Sequence, residues 1–311
     1  MKKLFSLLFI SGFITFLSDA QNAGNIWYFG DNAGIDFNSG SPVALSNSAM
    51  EIFEGCATAC DNNGNLLFYE NGEKIWDRNH NLMPNGSGLK GDTSSAQSII
   101  VHNPDSCNLY YVFTMGSHIT PNGGVWYSVV NMNLNGGYGD VIINQKNIQL
   151  LGASVEGITA ILNANEKDVW VIVHQMGNKK FNAYPVTAEG VGIPVETAIG
   201  PNRDASTIIG QLKTSHSGNK LVMVNTFSTI RIDLFDFDRA TGILSNDVNL
   251  TSYFSFTTGA YGIEFSPNDS LLYLSMIFSN NVLYQLDLFS WAALTLEEFG
   301  GNYHYGSLQL A

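Results

Sequence analysis

Five polar side chains stand at matching places along this 311-residue chain: Glu54, Gln97, Glu156, Gln211 and Glu264. Each lies within or just before one copy of a recurring phrase, so a fold that arranges the copies around an axis brings all five to one channel mouth. Three carboxylates and two amides gathered there have two chemical uses. Their oxygens suit Ca2+, and two acids at a set separation can split a glycosidic bond. The plainer reading is that polar residues line a water-filled channel, with no cofactor, no metal and no catalytic residue among them. The chain contains no G-x-S-x-G elbow and no H-E-x-x-H pair, which speaks against serine-hydrolase and zinc-protease chemistry.

The elements that must position these residues are short strands. The phrase is a Gly, an alternating run of about five residues, a polar turn and an apolar strand; it reads GIEFSPNDSLLYL in 262–274, and it recurs in 210–224, 157–172 and 55–69. A copy without the leading Gly occupies 97–113. Leading Gly residues at 157, 210 and 262 recur with a period of about 50, and a period of that length carrying four short strands predicts an all-β fold, a β-propeller of four-stranded antiparallel blades. The second strand of the third repeat, DVWVIVH, is apolar throughout, as befits a strand covered on both faces.

Five full repeats are legible. Residues 25–30 and 34–37 form a further hairpin, which is marginal by itself and should pair with something C-terminal. Tyr305–Leu310 copies the opening Tyr261–Phe265 of the fifth repeat and then the chain stops. The expectation is an incomplete propeller, five full blades plus remnants, either as an open arc or as a strained six-blade closure.

Residues 1–20 pair Lys2 and Lys3 with an apolar run from Leu4 to Leu17 and a polar close before Gln21, the parts of a secretory signal peptide. The domain reading is therefore a signal peptide in 1–20 and a propeller, truncated at its C-terminal end, in 21–311. No later run is long and apolar enough for a membrane span. The formal net charge of −13 repels phosphate backbones, so nucleic acid is excluded as a partner. Cys56, Cys60 and Cys107 are odd in number. A Cys60–Cys107 bridge is conceivable, and buried free thiols are the ordinary state.

Other local clusters invite functional readings that their surroundings oppose. Asp61-Asn62-Asn63-Gly64-Asn65 imitates a calcium loop, but strands rather than helices flank it, so a hairpin turn is expected. Asp77, Arg78 and His80 read as a polar network at a blade corner. NGGYGD in 135–140 precedes a strand, whereas a phosphate loop must open a helix. His174 ends a strand and reads as a satisfied structural side chain. Asp233 differs in parity from Asp236 and Asp238, so the three do not share one strand face.

The segments NIWYFGDNAGIDF, EGCATACDNNGNLLFY, WDRNHNLMPNG, QSIIV and NMNLNGGYGDV together resemble the N-terminal WD40-like propeller of large secreted Bacteroidetes proteins, over essentially the whole chain after residue 20. Such proteins continue into PKD-type domains and a sorting domain of the type IX, gliding-associated secretion system, and the resemblance here departs from that pattern in that residues up to Ala311 do not read as either. The resemblance implies a secreted or cell-surface place and a non-enzymatic binding, scaffold or adhesion role, with protein or glycan as partner. It carries no catalytic residues. The alternative is a calcium-dependent lactonase- or glycosidase-like propeller hydrolase using the channel-mouth carboxylates. A binding module should hold its ligand on an exposed face bearing aromatic and Asn groups.

Overall fold

Among the described residues, alternating apolar residues between Gly, Asn and Asp turns fold into twenty-five strands and four single turns of 3-10 helix. The structure is a computed structural model that describes residues 22–117, 123–226, 229–255, 259–277, 281–299 and 306–309. The signal-peptide reading of 1–20, and Tyr305 and Leu310 of the C-terminal phrase, lie outside them.

Six antiparallel sheets follow one another along the chain. Sheet 1 holds β1 (Ile26–Phe29), β2 (Ala33–Asp36) and β3 (Val43–Leu45). Sheet 2 holds β4 (Ala57–Cys60), β5 (Leu66–Glu70), β6 (Lys74–Asp77) and β7 (Leu82–Ser87). Sheet 3 runs from β8 (Ile99–His102) through β9 (Leu109–Gly116) and β10 (Gly124–Asn131) to an outer edge split into β11 (Asp140–Val141) and β12 (Ile148–Leu151). Sheet 4 contains β13 (Ser154–Leu162), β14 (Val169–Gln175), β15 (Asn178–Thr187), β16 (Gly190–Val191) and β17 (Val195–Arg203). Sheet 5 contains β18 (Ile209–Thr214), β19 (Lys220–Thr226), β20 (Arg231–Asp238) and β21 (Ile243–Asn249). Sheet 6 contains β22 (Ala260–Phe265), β23 (Leu271–Met276), β24 (Asn281–Asp287) and β25 (Ala293–Phe299).

The fold is a six-bladed β-propeller, and this corrects the expectation of an incomplete one. Sheet 1 is the blade that was read as a remnant: the hairpin of 25–37 gains a third strand in β3, and β2 pairs with both β1 and β3. β1 and the C-terminal stretch 307–309 line one central cavity, and that stretch is fastened to sheet 6. An alanine Cβ at Gly262 of β22 would meet the Gly306 carbonyl oxygen at 2.4 Å and the Leu308 nitrogen at 2.9 Å, so the two segments run in direct contact. Ser275 Oγ donates to the same Gly306 carbonyl at 2.7 Å. The repeated glycines thus answer to crowding at the axis: a Cβ on Gly55 would lie 2.7 Å from the backbone nitrogen of Gln97 in the next blade.

Apolar side chains fill the space between successive sheets. Val171 and Val173 of β14 pack toward sheet 3, whereas Trp170 and Ile172 pack toward sheet 5, so this strand is covered on both faces as its composition requires. Trp170 is 6% exposed, donates its indole N–H to the Arg239 carbonyl at 2.8 Å and lies over Gly242. Truncating it leaves a cavity, while the Arg239 carbonyl keeps its bond from the Ala164 N–H, and Trp170→Ala should cost about 3–5 kcal/mol. Asn178 only accepts the Lys180 N–H at 2.7 Å, at the start of β15, and Asn178→Ala should cost about 1 kcal/mol or less. Urea midpoints measured side by side should separate the two widely, and near-equal midpoints would contradict this packing.

The structure also settles the local clusters. Asp61 Oδ1 accepts the N–H groups of Asn63 and Asn65, each at 2.9 Å, in a hairpin turn between β4 and β5. Asp77 Oδ1 caps the next turn through Asn79 and Asn81, and Arg78 donates to the Gly137 carbonyl under the Tyr138 ring. His80 bridges Tyr69 and Asn47, which ties sheet 2 to sheet 1. All three cysteines are free; Cys56 and Cys60 point from one face of sheet 2 at the β1 carbonyls of Tyr28 and Ile26. His174 departs from its expectation of being satisfied: it is fully buried, and neither ring nitrogen meets a well-aligned partner. Among the described residues no helix is long and apolar enough to cross a membrane.

Candidate functional site

The innermost strands β4, β8, β13 and β18, together with β1 and the stretch 307–309, wall an axial cavity of about 540 Å3. Its lining runs from Glu54 to Thr58 on one blade and from Gln211 to Thr214 on another, so it extends from the level where these strands begin toward the level where they end. Three of the five expected residues, Glu54, Gln97 and Gln211, line it.

Glu54 and Glu156 meet at one end, where the residue before each leading Gly turns toward the axis. Glu156 is 1% exposed and its Oε2 accepts the Ala96 N–H at 3.1 Å. Glu54 is half-buried at the cavity wall. The Tyr261 hydroxyl donates to its carboxyl group, while its Oε2, shielded from bulk water, has no partner. Burial, reinforced by the charge of Glu156 and opposed by the Tyr261 hydrogen bond, pushes the Glu54 carboxyl up to about 7. Burial pushes the Tyr261 phenol upward too, with the two glutamates adding to the effect, so it stays protonated as the donor.

The other expected residues are held in place by neighbours. Gln97 reaches from the segment just before β8 to sheets 4 and 5: its Oε1 accepts the N–H groups of Ile158 at 3.0 Å and Leu212 at 2.9 Å, and its Nε2 donates to the Leu212 carbonyl at 3.2 Å. Gln211 donates to Ser307 Oγ, which fastens the C-terminal stretch to sheet 5. Glu264 lies apart from the pair, bound to Lys213 at 2.7 Å. Lys213 lines the cavity and also donates to Gln309 at 2.9 Å. Sequence reasoning placed Glu264 where Tyr261 belongs. The signal was available: Glu54, Glu156 and Tyr261 each directly precede a Gly of the repeat, and Glu264 does not.

The set does not fit a calcium cage. That ion takes about six to eight oxygens, and here two carboxylates stand with a phenol while the third acid is spent on a lysine. Among the described residues no group of three or more His, Cys, Asp or Glu side chains could share a metal ion. What remains is one carboxyl group that titrates near neutrality, facing a cavity, with a second carboxylate and a phenol behind it. Such a group can take or give a proton at physiological pH.

A second raised carboxyl lies one strand outward. Glu70 is fully buried in β5, accepts Ser98 Oγ at 2.5 Å and the Gly72 N–H at 2.6 Å, and burial pushes it to about 7 despite these bonds. Since its folded value lies above the ordinary 4.5, its contribution to stability is complete below about pH 4.5 and is lost as pH rises to about 7. His174 works in the opposite sense, because burial lowers it to about 3 and its contribution is lost as pH falls through the range below 6.5. Glu70→Gln isolates the first effect. Relative to wild type, the variant should gain unfolding free energy between pH 4.5 and 7 and show a constant difference above that, as read from urea curves at stepped pH. A pH-independent difference would mean that Glu70 is ionised throughout.

No protein-family model matches the sequence, and no curated protein matches it. Solved structures do match. The periplasmic gluconolactonase PpgL of Pseudomonas aeruginosa aligns at 13% identity over 86% of this chain and 76% of its own, with a TM-score of 0.54. The β-propeller domain of Cps50 (Swd1) from Myceliophteria thermophila aligns at 12% identity over 91% of both chains, also at 0.54. A puromycin hydrolase aligns at 11% identity over 94% of this chain and 50% of its own, at 0.50. At these identities the likeness is one of fold, and it supports the β-propeller.

Proposed function

We propose that the axial cavity is a hydrolytic site that opens a small neutral cyclic ester, with Glu54 as general base, in a protein exported by the address in residues 1–20. The observation that carries this reading is the Glu54 carboxyl, held near pKa 7 at the cavity wall by burial and by Glu156, with one oxygen unpartnered. Lactone opening needs one base. Glu54 takes a proton from water as the water oxygen bonds to the acyl carbon, and the proton passes to the ring oxygen as the carbon–oxygen bond breaks. Lys213 lines the same cavity from another blade and, already bonded to Glu264 and Gln309, brings a cation to it for the developing oxyanion. A glycosidase would require both carboxyl groups to flank the scissile bond, and Glu156 is buried behind Glu54 with its own oxygen held by Ala96. The shared propeller fold of a gluconolactonase is compatible with the proposal and adds no residue to it.

The test is hydrolysis of glucono-δ-lactone and other aldonolactones by the purified protein, against a panel of nitrophenyl glycosides. Turnover of a lactone that Glu54→Gln abolishes supports the proposal. Glycoside cleavage dependent on both Glu54 and Glu156 would replace it with the glycosidase reading. No turnover of either class would return the protein to the reading of a non-enzymatic binding or scaffold module at the cell surface, which the locked positions of Gln97 and Gln211 also support.

A further inference from the structure

A second concavity, of about 450 Å3, lies between sheets 5 and 6 on the face that carries the β22–β23 and β24–β25 turns, at the opposite ends of the strands from Glu54 and Tyr261. Its volume falls within the range of small-molecule sites, about 300–1,000 Å3. One wall is aromatic. Phe289, at the tip of the β24–β25 turn, is 94% exposed, and Trp291 beside it stacks on Tyr253 at 5.4 Å with the planes 18° apart. The other wall is polar: Asp236 accepts hydrogen bonds from Lys220 and from Asn246, and all three line the groove. The hydrogen bonds from Lys220 and Asn246 hold the Asp236 carboxyl below the usual carboxylate range, so it is an ionised acceptor flanked by two donors.

Both walls are built rigidly. Asp287 Oδ1 accepts the N–H groups of Phe289 and Ser290, each at 2.8 Å, and its carbonyl accepts the Trp291 N–H at 2.9 Å. Trp291 itself sits at φ 61°, a left-handed conformation that costs a bulky residue energy and persists only where the surroundings impose it. Across the groove, Asp269 accepts the His216 N–H at 2.7 Å and the Ser217 N–H at 2.8 Å, which pins sheet 6 to sheet 5 and sets the width.

We infer that this groove binds a neutral saccharide, with a sugar ring lying by its C–H face on Phe289 and Trp291 and vicinal hydroxyls bonded to Asp236, Asn246 and Lys220. The chemistry selects this occupant. A wholly apolar ligand would strip water from an ionised Asp236 without replacing it. A polyanion would meet Asp236 and Asp269 on a chain of net charge −13. A ring with an apolar face and a rim of hydroxyl groups satisfies both walls at once, because an aromatic face attracts polarised C–H groups and the polar triad offers donors and an acceptor together.

The site is independent of the channel and is tested by binding rather than turnover. Isothermal titration of the full chain with cellohexaose, xylohexaose, laminarihexaose and chitohexaose, and with oligogalacturonate as the anionic control, is the measurement. At least one neutral oligosaccharide should bind and the anionic one should not. Phe289→Ala, a fully exposed substitution that leaves the core untouched, should weaken that binding by about tenfold or more, and Asp236→Asn should weaken it as well. Absence of heat from every neutral oligosaccharide, preference for the anionic one, or binding that Phe289→Ala leaves unchanged would each overturn the assignment.

Discussion

Glu54→Gln is expected to lower the turnover of a lactone substrate by about 10²–10⁴-fold, the usual worth of a general base, with a smaller change in KM. The substitution keeps the shape and the bond from Tyr261 while removing the proton acceptor. Because the group must be ionised to act, the wild-type rate should rise with pH and level off above about 7, where Glu54 has lost its proton. The two neighbours then move that profile in opposite directions. Glu156 raises the Glu54 value by its charge, so Glu156→Gln should shift the rising limb to lower pH; Tyr261 lowers it by hydrogen bonding, so Tyr261→Phe should shift the limb to higher pH. A purely structural cluster could lose activity in all three variants through misfolding, but it would not displace the limb in two directions. Rate profiles from pH 5 to 9 for the four proteins decide the matter, and a limb that stays in place in both neighbour variants would remove Glu54 from the chemistry.

How far such a site is legible from sequence depends on what the repeat encodes. The phrase of Gly, alternating run and polar turn encodes one innermost strand and its hairpin, so β8, β14, β19 and β23 fall largely on the strand portions of the repeats at 97–113, 157–172, 210–224 and 262–274. Glu54 and Glu156 were legible for the same reason, since a side chain next to an axial glycine has little space except toward the channel. Glu264 was misplaced because it lies two residues beyond Gly262 rather than directly before it. The register of β22 shifts between Ala260 and Ile263, so Glu264 lies past an irregularity that separates it from Tyr261, and Lys213 receives it. Blade number was not legible, because β1 and the stretch 307–309 come to one central cavity from opposite ends of the chain, and no local pattern encodes that juxtaposition. β3 was missed for a related reason: Val43–Leu45 is three residues long and largely exposed, so no apolar alternation marks it.

Arg203 was the least legible residue of all, and it carries the second large prediction. It is 1% exposed at the end of β17, with its guanidinium bonded to Asp233 of β20, itself fully buried. Arg231 donates through Nε to both oxygens of the same carboxylate, at 2.9 and 3.0 Å. Parity alone separated Asp233 from Asp236 and Asp238, and the structure supplies the consequence: Asp233 turns inward to two arginines, while Asp236 meets Lys220 and Asp238 caps a turn at Ala240 and Thr241. Burial lowers the Arg203 value, and Asp233 works against that shift. An arginine stays protonated under all ordinary conditions, so removing Asp233 strands a charge between sheets 4 and 5. Asp233→Ala should therefore cost about 3–5 kcal/mol, although the net worth of the pair is small because both ions were desolvated to make it. The double variant Arg203→Met with Asp233→Leu should recover most of that loss, and a fully apolar replacement of a buried pair is often neutral or stabilising. Arg231, partly exposed, can turn its guanidinium to water in either background. Urea unfolding of the two single variants and the double closes a thermodynamic cycle, and the expected outcome is strong non-additivity, with the double variant more stable than Asp233→Ala alone. Additive losses would show that Arg203 finds water or another acceptor when Asp233 is gone, and that the two blades are joined by their apolar faces with no contribution from this ion pair.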